Sequence, residues 1–257
     1  MDGQVKKGQR DETVIAGRNA VQEALRSGRS IDSISVVRGA RTGSIVPLVA
    51  QAKKLGIPVK EVDGRKLDFL CGHANHQGIV AMAAVKEYAT VEDIFALAES
   101  RGEPPFILLA DELEDPHNLG AILRTAECTG AHGVIIPKRR ATGLTYAVGK
   151  ASAGAVEYVP VARVTNMAKT VEELKDRGVW IYTADMDGQD WCTVDYSGPV
   201  GLVIGNEGDG VSRLIREKSD FIVSLPMAGK IQSLNASVAC GILCYEIARQ
   251  RRRLQAK

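Results

Sequence analysis

Hydrophobic and polar positions in the first third of the chain follow two alternating patterns. Helical spacing of apolar residues predicts a helix after a glycine within residues 14–25 and a second helix over residues 45–55, which Gly56 stops. Strand patterns occupy residues 33–37, 58–62 and 78–85. Helices and strands that alternate in this way predict a small α/β domain at residues 14–85, preceded by a flexible N-terminus at residues 1–13.

From residue 106 onward, short apolar runs follow one another closely. They predict strands at residues 106–110, 133–136, 158–161, 180–184, 200–204 and 221–225, and a long helix from about residue 233 to 252. Helical segments separate most of these runs, which predicts a parallel sheet covered on both faces. Ligands of such sheets lie beyond the carboxyl ends of the strands, so the loops that follow the strands are the candidate site.

The segment between these two parts has a different character. Residues 86–105, KEYATVEDIFALAESRGEPP, are acidic and mostly polar, and they end in Pro-Pro. We interpret them as a linker, which leaves residues 106–257 as the second domain. A chain of 257 residues is long enough for two domains that each bury a core.

Composition excludes several classes of protein. No run of 18 apolar residues occurs and the N-terminus lacks a secretory signal, so we expect a cytoplasmic protein without membrane contact. The five cysteines are scattered without a C-x-x-C pair, and His73 and His76 lack a second pair of ligands. We therefore predict neither a disulfide framework nor a metal site.

Charge is distributed unevenly along the chain. Residues 1–86 hold 14 Lys and Arg against 8 Asp and Glu, whereas residues 87–257 hold 19 against 23. The first part is therefore the better candidate for contact with a polyanion such as RNA.

The loop Ile204-Gly-Asn-Glu-Gly-Asp-Gly-Val-Ser212 follows a predicted strand and is rich in glycine. Its G-x-x-G-x-G spacing differs from the G-x-G-x-x-G of dinucleotide-binding folds, and no Gly-Lys-Ser/Thr follows as in phosphate-loop enzymes. Glu207 within the loop would also repel a polyphosphate. A nucleotide- or dinucleotide-dependent enzyme, although it remains an alternative, is disfavoured by this loop.

Two further stretches lie where loops meet helices. In Asp115-Pro-His-Asn-Leu-Gly-Ala-Ile-Leu-Arg-Thr-Ala126, Asn118 can serve as a helix cap, whereas Arg124 lies in a mainly apolar helix and needs an anion or a carbonyl as partner. The other stretch, Pro226-Met-Ala-Gly-Lys-Ile-Gln-Ser-Leu-Asn235, leads from a strand into the long C-terminal helix.

Together these three stretches resemble the motifs of SpoU-type RNA ribose 2'-O-methyltransferases, within the SPOUT superfamily. The motifs are N-x-G-x-x-x-R-T-A from Asn118, I-G-N-E-G-x-G from Ile204 and P-M-x-G-x-x-x-S-L-N from Pro226. Asp115-Pro-His-Asn118 and Lys150-Ala-Ser-Ala-Gly154 are similar to the bacterial subgroup that methylates a guanosine ribose in large-subunit ribosomal RNA. That subgroup carries an N-terminal domain similar to a small RNA-binding ribosomal protein.

The resemblance implies a trefoil-knotted catalytic domain that binds S-adenosylmethionine and forms a homodimer through its terminal helices. The implied cofactor contacts are Thr183, Ile204, Gly205, Leu225, Met227, Ser233 and Leu234, of which Thr183 and Leu225 rest on their positions at strand ends. Met227 and Leu225 have a plain core position as the alternative.

The resemblance also assigns catalytic roles. Arg124 binds or deprotonates the attacking ribose hydroxyl; because a guanidinium is a poor base, we expect it to stabilise the alkoxide instead. Glu207 and Asn235 would hold Arg124 and the ribose, and Asn118 would brace the site. RNA contacts are expected at Arg18, Lys138, Arg139, Arg140 and Lys150, although a solvated basic surface is an equal alternative for the loop 138–140. The alternatives for the whole chain are a transfer-RNA substrate and a non-catalytic RNA-binding protein of the same fold.

Overall fold

The structure, a computed structural model of the chain, describes residues 13–39, 43–206 and 208–255. The chain divides after Glu87 into two compact units. Apart from the buried Thr13, the segment expected to be a flexible N-terminus lies outside the described residues. No helix within the described ranges combines the length and the apolar character needed to cross a membrane.

The first unit is the small α/β domain that the sequence predicts. Its four strands pair in the order β1-β4-β2-β3, with β2 and β3 parallel and β4 antiparallel to both of its neighbours. Val21, Leu25, Ile34, Leu48 and Ile79 belong to its core. The elements are β1 (Val14–Ala16), α1 (Arg18–Arg26), β2 (Ile31–Val37), α2 (Ile45–Lys54), β3 (Val59–Val62), α3 (Gly64–Leu70) and β4 (Ile79–Ala83).

The stretch 14–25, in which a helix is predicted after a glycine, begins with a strand that the prediction does not contain. Val14–Ala16 is a strand, because β4 supplies partners for its backbone, with Val14 opposite Met82. Gly17 then turns the chain with φ of 98°, a conformation that favours glycine, and its N–H donates to the carbonyl of Ile79 at 3.1 Å. The helix itself begins at Arg18.

The second unit is built on a six-stranded sheet in the order β10-β8-β9-β5-β6-β7. Every neighbouring pair is parallel, which confirms the predicted parallel sheet. All five residues of β5 and all five of β9 are buried, as expected at the centre of a covered sheet. The elements are α4 (Val91–Arg101), β5 (Phe106–Ala110), α5 (Pro116–Thr129), β6 (Gly133–Pro137), α6 (Tyr146–Ala151), β7 (Val161–Val164), α7 (Met167–Asp176), β8 (Trp180–Asp190), β9 (Val200–Ile204), α8 (Arg213–Lys218), β10 (Phe221–Ser224) and α9 (Ala236–Gln255).

Most of the segment interpreted as a linker folds with the second unit. A capping box between Thr90 and Asp93 starts α4, and Ile94 is fully buried in the core. A β-carbon at Gly133 would lie 2.5 Å from Cγ1 of Ile94, so α4 packs directly on β6. A few apolar side chains on one face are enough to dock a helix whose remaining surface is polar.

Two strands of the second unit differ from the prediction by three residues or more. The strand expected at residues 158–161 runs over Val161–Val164, because Ala155–Glu157 forms a 3-10 turn and leaves Tyr158 75% exposed. The strand expected to end at residue 184 continues to Asp190, where the edge strand β10 pairs with it beyond a register shift at Ile222/Val223.

The end of the C-terminal helix α9 is held at the amino edge of the sheet by Arg251. Its guanidinium donates to the carbonyls of Pro104, Pro105 and Gly198 at 2.8 to 2.9 Å and lies 5.1 Å from the ring centre of Phe106. Burial lowers the pKa of Arg251 to about 10, which reflects the desolvation that these contacts offset. Because Arg251 lies 15 residues after Ala236, the first residue of α9, the start of the helix lies about 22 Å from this anchor.

We predict that Arg251→Met destabilises the second unit by about 2–3 kcal/mol, because hydrogen bonds from a charged donor are lost and three carbonyls lose their partner. Both tryptophans lie in this unit, so urea denaturation followed by tryptophan fluorescence measures the change. Arg252→Met, on the exposed neighbouring arginine, is the matched control and should have little effect. Equal stability of the two variants would show that Arg251 does not anchor the helix.

Candidate active site

The glycine-rich loop after β9 folds back on itself. The side-chain oxygen of Asn206 accepts hydrogen bonds from the N–H groups of Gly208 at 2.8 Å and Asp209 at 2.7 Å. The N–H of Gly210 donates to the carbonyl of Asn206 at 3.1 Å, and Gly210 has φ of 69°. The loop is thus a closed turn held by Asn206. Glu207 lies outside the described residues.

Gly205 permits the closest backbone approach in this loop. A β-carbon at this position would lie 2.1 Å from the carbonyl carbon of Gly210 and 2.3 Å from the nitrogen of Val211. Neither is the end of a flexible side chain, so a larger residue requires the backbone to move. Gly208 differs, because the nearest atom to its β-carbon would be Oδ1 of Asn206 at 3.4 Å.

Asp111 fastens this loop to the centre of the sheet. It follows β5, its N–H donates to the carbonyl of Ile204 at 2.8 Å, and its carboxylate accepts from the N–H of Ser212 at 3.0 Å. The residue is buried, and burial raises the pKa of its carboxyl group. Our sequence analysis missed Asp111, although a carboxylate directly after the wholly apolar strand FILLA is a signal that could have identified it.

Asn118 is not the cap of α5. Asp115 is the cap, and its carboxylate accepts from the N–H of His117 at 2.9 Å, with Pro116 at the first helical position. Asn118 lies in the first turn and is buried, and its Oδ1 accepts from Nδ2 of Asn235 at 2.9 Å. The oxygen of Asn235 accepts from the N–H groups of Ser237 and Val238 at 3.0 and 3.3 Å, which caps α9. The structure therefore joins the first and third motifs through two amides.

Arg124 is exposed on α5 and forms no hydrogen bond or ion pair with another residue in the described part of the chain. It lies six residues after Asn118, about 9 Å farther along the helix and on a different face. Of the four predicted catalytic residues, Asn118 and Asn235 are in contact, and Arg124 forms no hydrogen bond with either of them within the described ranges. Its expected partner at position 207 is the one residue of the loop that the structure does not describe.

The predicted cofactor residues differ in their exposure to solvent. Thr183 and Ile204 are buried in neighbouring strands, whereas Met227, Ser233 and Leu234 lie on the exposed segment 226–235 that links β10 to α9. Gly205 and Leu225, at the ends of β9 and β10, lie between these extremes of exposure. Met227 is 38% exposed, so the interpretation as a plain core residue is wrong for it.

The prediction that Thr183 lies at a strand end is also wrong. Because β8 continues to Asp190, Thr183 lies within it, opposite Val203 of β9 and Ile222 of β10. Its hydroxyl group lies 2.6 Å from that of Ser219, which donates in turn to the carbonyl of Ile215. Thr183 thus joins the sheet to the end of α8 in this structure.

The residues predicted to contact RNA lie in both units. Arg18, in the first, donates to the carbonyl of Gln77 at 3.0 Å and to the hydroxyl of Ser44 at 3.1 Å. In the second, Arg140 has φ of 55° and pairs with Glu112 at 3.1 Å. Lys138 is half-buried, and Arg139 and Lys150 are exposed. Across the described ranges no cluster of three or more His, Cys, Asp or Glu is placed to hold a metal ion.

Comparison with known families identifies both units. A model of the SpoU rRNA methylase family matches residues 105–245, which is more than half of the chain. A second model, described as the substrate-binding domain of RNA 2'-O ribose methyltransferases, matches residues 14–89.

Individual proteins agree with these matches. A protein of Bacillus subtilis (strain 168) assigned to the TrmH family of tRNA/rRNA methyltransferases is 50% identical over 238 residues, which cover 92% of this chain and 95% of the relative. An AdoMet-bound rRNA methyltransferase from Sinorhizobium meliloti superposes with a TM-score of 0.57 at 26% identity, covering 92% of this chain and 87% of that one. The SpoU methyltransferase AviRb from Streptomyces viridochromogenes, in complex with AdoMet, shares the fold with a TM-score of 0.59 at 23% identity, over 93% and 90% of the two chains.

We predict that Gly205→Ala lowers the free energy of unfolding by about 1–3 kcal/mol or more, since the new methyl group overlaps the backbone at Gly210 and Val211. Gly208→Ala, in the same loop but with room for a methyl group, should change stability little. Denaturation of both variants followed by tryptophan fluorescence tests the difference. A Gly205→Ala protein as stable as Gly208→Ala would contradict the close approach.

Proposed function

The chain belongs to the SpoU rRNA methylase family of RNA methyltransferases, and we propose that it methylates the 2'-oxygen of a guanosine ribose in large-subunit (23S) ribosomal RNA, with S-adenosylmethionine as the methyl donor. The observation that carries the proposal is the hydrogen bond between Asn118 and Asn235. It brings together the first and third of the family's motifs through residues 117 positions apart, at the edge of the sheet where the second motif, from Ile204, forms its closed loop.

The residues at this edge fit S-adenosylmethionine better than a nucleoside polyphosphate. The loop 204–212 contains Glu207 and Asp209 but no Lys or Arg, so it would repel phosphates and tolerates a ligand that carries a cationic sulfur. Exposed apolar side chains on the segment 226–235, Met227 at 38% and Leu234 at 36%, offer contact area for an adenine ring. Ile204, Gly205, Leu225 and Ser233 complete the proposed binding residues, with Thr183 supporting them from within the sheet.

The chemistry assigns the catalytic roles. When bound, S-adenosylmethionine supplies an electrophilic methyl group on a positively charged sulfur. The ribose hydroxyl is a weak acid, so the chain must stabilise the negative charge that develops on its oxygen as the proton leaves to solvent or to another group. Arg124 suits this role because its guanidinium stays charged and is exposed on α5. Asn235 and Glu207 would orient Arg124 and the ribose, with Asn118 bracing Asn235.

The proposal of ribosomal RNA as substrate rests on the subgroup motifs and on the substrate-binding domain. Asp115-Pro-His-Asn118 and Lys150 to Gly154 are similar to the ribosomal subgroup, and the first unit carries a surplus of basic residues for phosphate contacts. The names of the relatives include both tRNA and rRNA. Transfer RNA is therefore the second candidate, and the experiment below includes it. An RNA substrate of this kind is consistent with a cytoplasmic location, which stays a prediction, as does the trefoil knot.

We predict that the protein transfers label from S-adenosylmethionine to unmodified large-subunit RNA, and that the product dinucleotide resists alkaline cleavage because its 2'-oxygen is blocked. Arg124→Ala should lower kcat by about 100- to 1,000-fold, the usual cost of removing a group that stabilises developing charge. Arg124→Lys tests whether the planar guanidinium is required.

Glu127→Ala, an exposed change on the same helix, is the control and should keep full activity. Alkali-resistant label in transfer RNA alone would identify transfer RNA, and not ribosomal RNA, as the substrate. Cofactor binding by calorimetry without label in any RNA would favour a non-catalytic RNA-binding protein, and full activity of Arg124→Ala would overturn the role of that residue.

We further propose that the protein is a homodimer assembled through its second unit, because α9 presents an exposed apolar face. Val238 and Tyr245, two turns apart, are 50% and 57% exposed, and no atom lies within 4 Å of the position of a β-carbon at Gly241 between them. Sedimentation velocity should give twice the mass of one chain. Tyr245→Glu should shift the protein towards monomer, whereas Tyr158→Glu, on another exposed tyrosine, should not. A monomeric wild-type protein at micromolar concentration would overturn the proposal.

A further inference from the structure

The short helix α6 carries one exposed aromatic side chain and one exposed cation. Tyr146 is 58% exposed, and Lys150, one turn later on the same helix face, is exposed as well. Arg139 is exposed in the loop that leads into this helix. We call Tyr146, Lys150 and Arg139 the α6 patch.

The patch is attached rigidly to the segment that carries Asn118. A β-carbon at Gly120, two residues after Asn118, would lie 2.4 Å from Cβ of Ala151, so α5 and α6 touch almost backbone to backbone. Thr145 caps the start of α6, and its hydroxyl accepts from the N–H of Val148. Movement of α6 relative to the first turn of α5 would therefore require this contact to break.

The loop before α6 is fastened to the same segment. The N–H of Thr142 donates to the carbonyl of Leu113 at 2.8 Å, and Arg140 pairs with Glu112 at 3.1 Å. Glu112 and Arg140 both adopt the left-handed backbone conformation, with φ of 54° and 55°. Such conformations cost about 1 kcal/mol or more for residues other than glycine, and they cluster at functional sites.

The charges of the patch are available to a ligand. Arg140 is neutralised by Glu112, but Arg139 and Lys150 form no ion pair with another residue in the described ranges. Within the same ranges, no other aromatic ring and no cation packs on the ring of Tyr146. Single-stranded nucleic acids bind to surfaces that offer an aromatic ring for a base and cations for phosphates. Tyr146 offers the ring, and the cations are Lys150, one turn later on α6, and Arg139 in the preceding loop.

We propose that the α6 patch binds an unpaired nucleotide of the RNA substrate, with its base stacked on Tyr146 and its neighbouring phosphates held by Lys150 and Arg139. The inference rests on the proposed function and extends it, since it selects single-stranded RNA beside the methylated residue. A base inside a duplex is covered on both faces by its neighbours and has no free face for a tyrosine.

The test measures RNA binding and turnover separately. Binding of a labelled single-stranded RNA of mixed sequence is followed by fluorescence anisotropy without cofactor, and methyl transfer to large-subunit RNA is measured as kcat and KM. Tyr146→Ala should weaken binding by about 5- to 100-fold, the range for one stacked base, and should raise KM with kcat changed little. Tyr146→Phe keeps the ring and should bind as the wild type does.

Tyr158→Ala is the matched control. Tyr158 is 75% exposed in the same unit, but it lies just before the start of β7, at the amino edge of the sheet, whereas α6 follows the carboxyl end of β6. It should change neither constant. RNA that carries a photoreactive uridine should cross-link to a peptide containing Tyr146 in the wild-type protein, which provides a readout independent of any substitution.

The outcomes distinguish the two proposals. Tyr146-dependent binding and cross-linking without methyl transfer to any RNA would overturn the proposed activity and leave the patch intact. Methyl transfer with wild-type binding by Tyr146→Ala, or cross-links elsewhere, would overturn the patch and leave the activity. A Tyr146→Ala protein that changes only its sedimentation mass would make the patch a contact between protein chains, which also overturns this inference.

Discussion

The pairing of β5 with β9 is the constraint on which the candidate site depends. The two strands run in register from Phe106 opposite Val200 to Ala110 opposite Ile204, and Asp111 continues the pairing by one further hydrogen bond to Ile204. Parallel strands deliver their carboxyl ends to the same edge, so the segment that leads to Asn118 and the glycine-rich loop emerge side by side. The carboxylate of Asp111 then holds the far end of that loop at Ser212.

A buried carboxylate at this position has a cost that the structure offsets locally. Removal from water disfavours the charged form of Asp111 and raises its pKa, while the N–H of Ser212 provides a partner for the charge. The loop next to Asp111 must also close tightly without leaving backbone N–H groups unsatisfied. Gly205 allows the loop to close against its own backbone, and the side chain of Asn206 satisfies two N–H groups that the tight turn leaves without backbone partners.

The helix α9 connects this edge with the rest of the second unit. At its start, Asn235 both caps the helix and donates to Asn118; near its end, Arg251 binds three carbonyls at the opposite edge. Its position is therefore determined at two points, and the exposed segment 226–235 is tethered by β10 on one side and by Asn235 on the other. Arg124, the proposed catalytic residue, is exposed, which suits an enzyme whose substrate is a large molecule arriving from outside.

The sequence by itself determined the class of fold, most of the strands and the family. Buried strands are apolar over their whole length, and each of the three motifs is an unbroken stretch of sequence. The tertiary structure alone decided what depends on residues distant in the chain. Val14–Ala16 is a strand because β4 pairs with it, and α4 belongs to the core through Ile94. Thr183 lies in the interior of β8, and not at a strand end, because pairing with β10 extends that strand. The partners of Asn118 and Asp111 likewise have no local signature. The bonds Asn118–Asn235 and Asp111–Ser212 each join segments about a hundred residues apart, which only the folded sheet brings together.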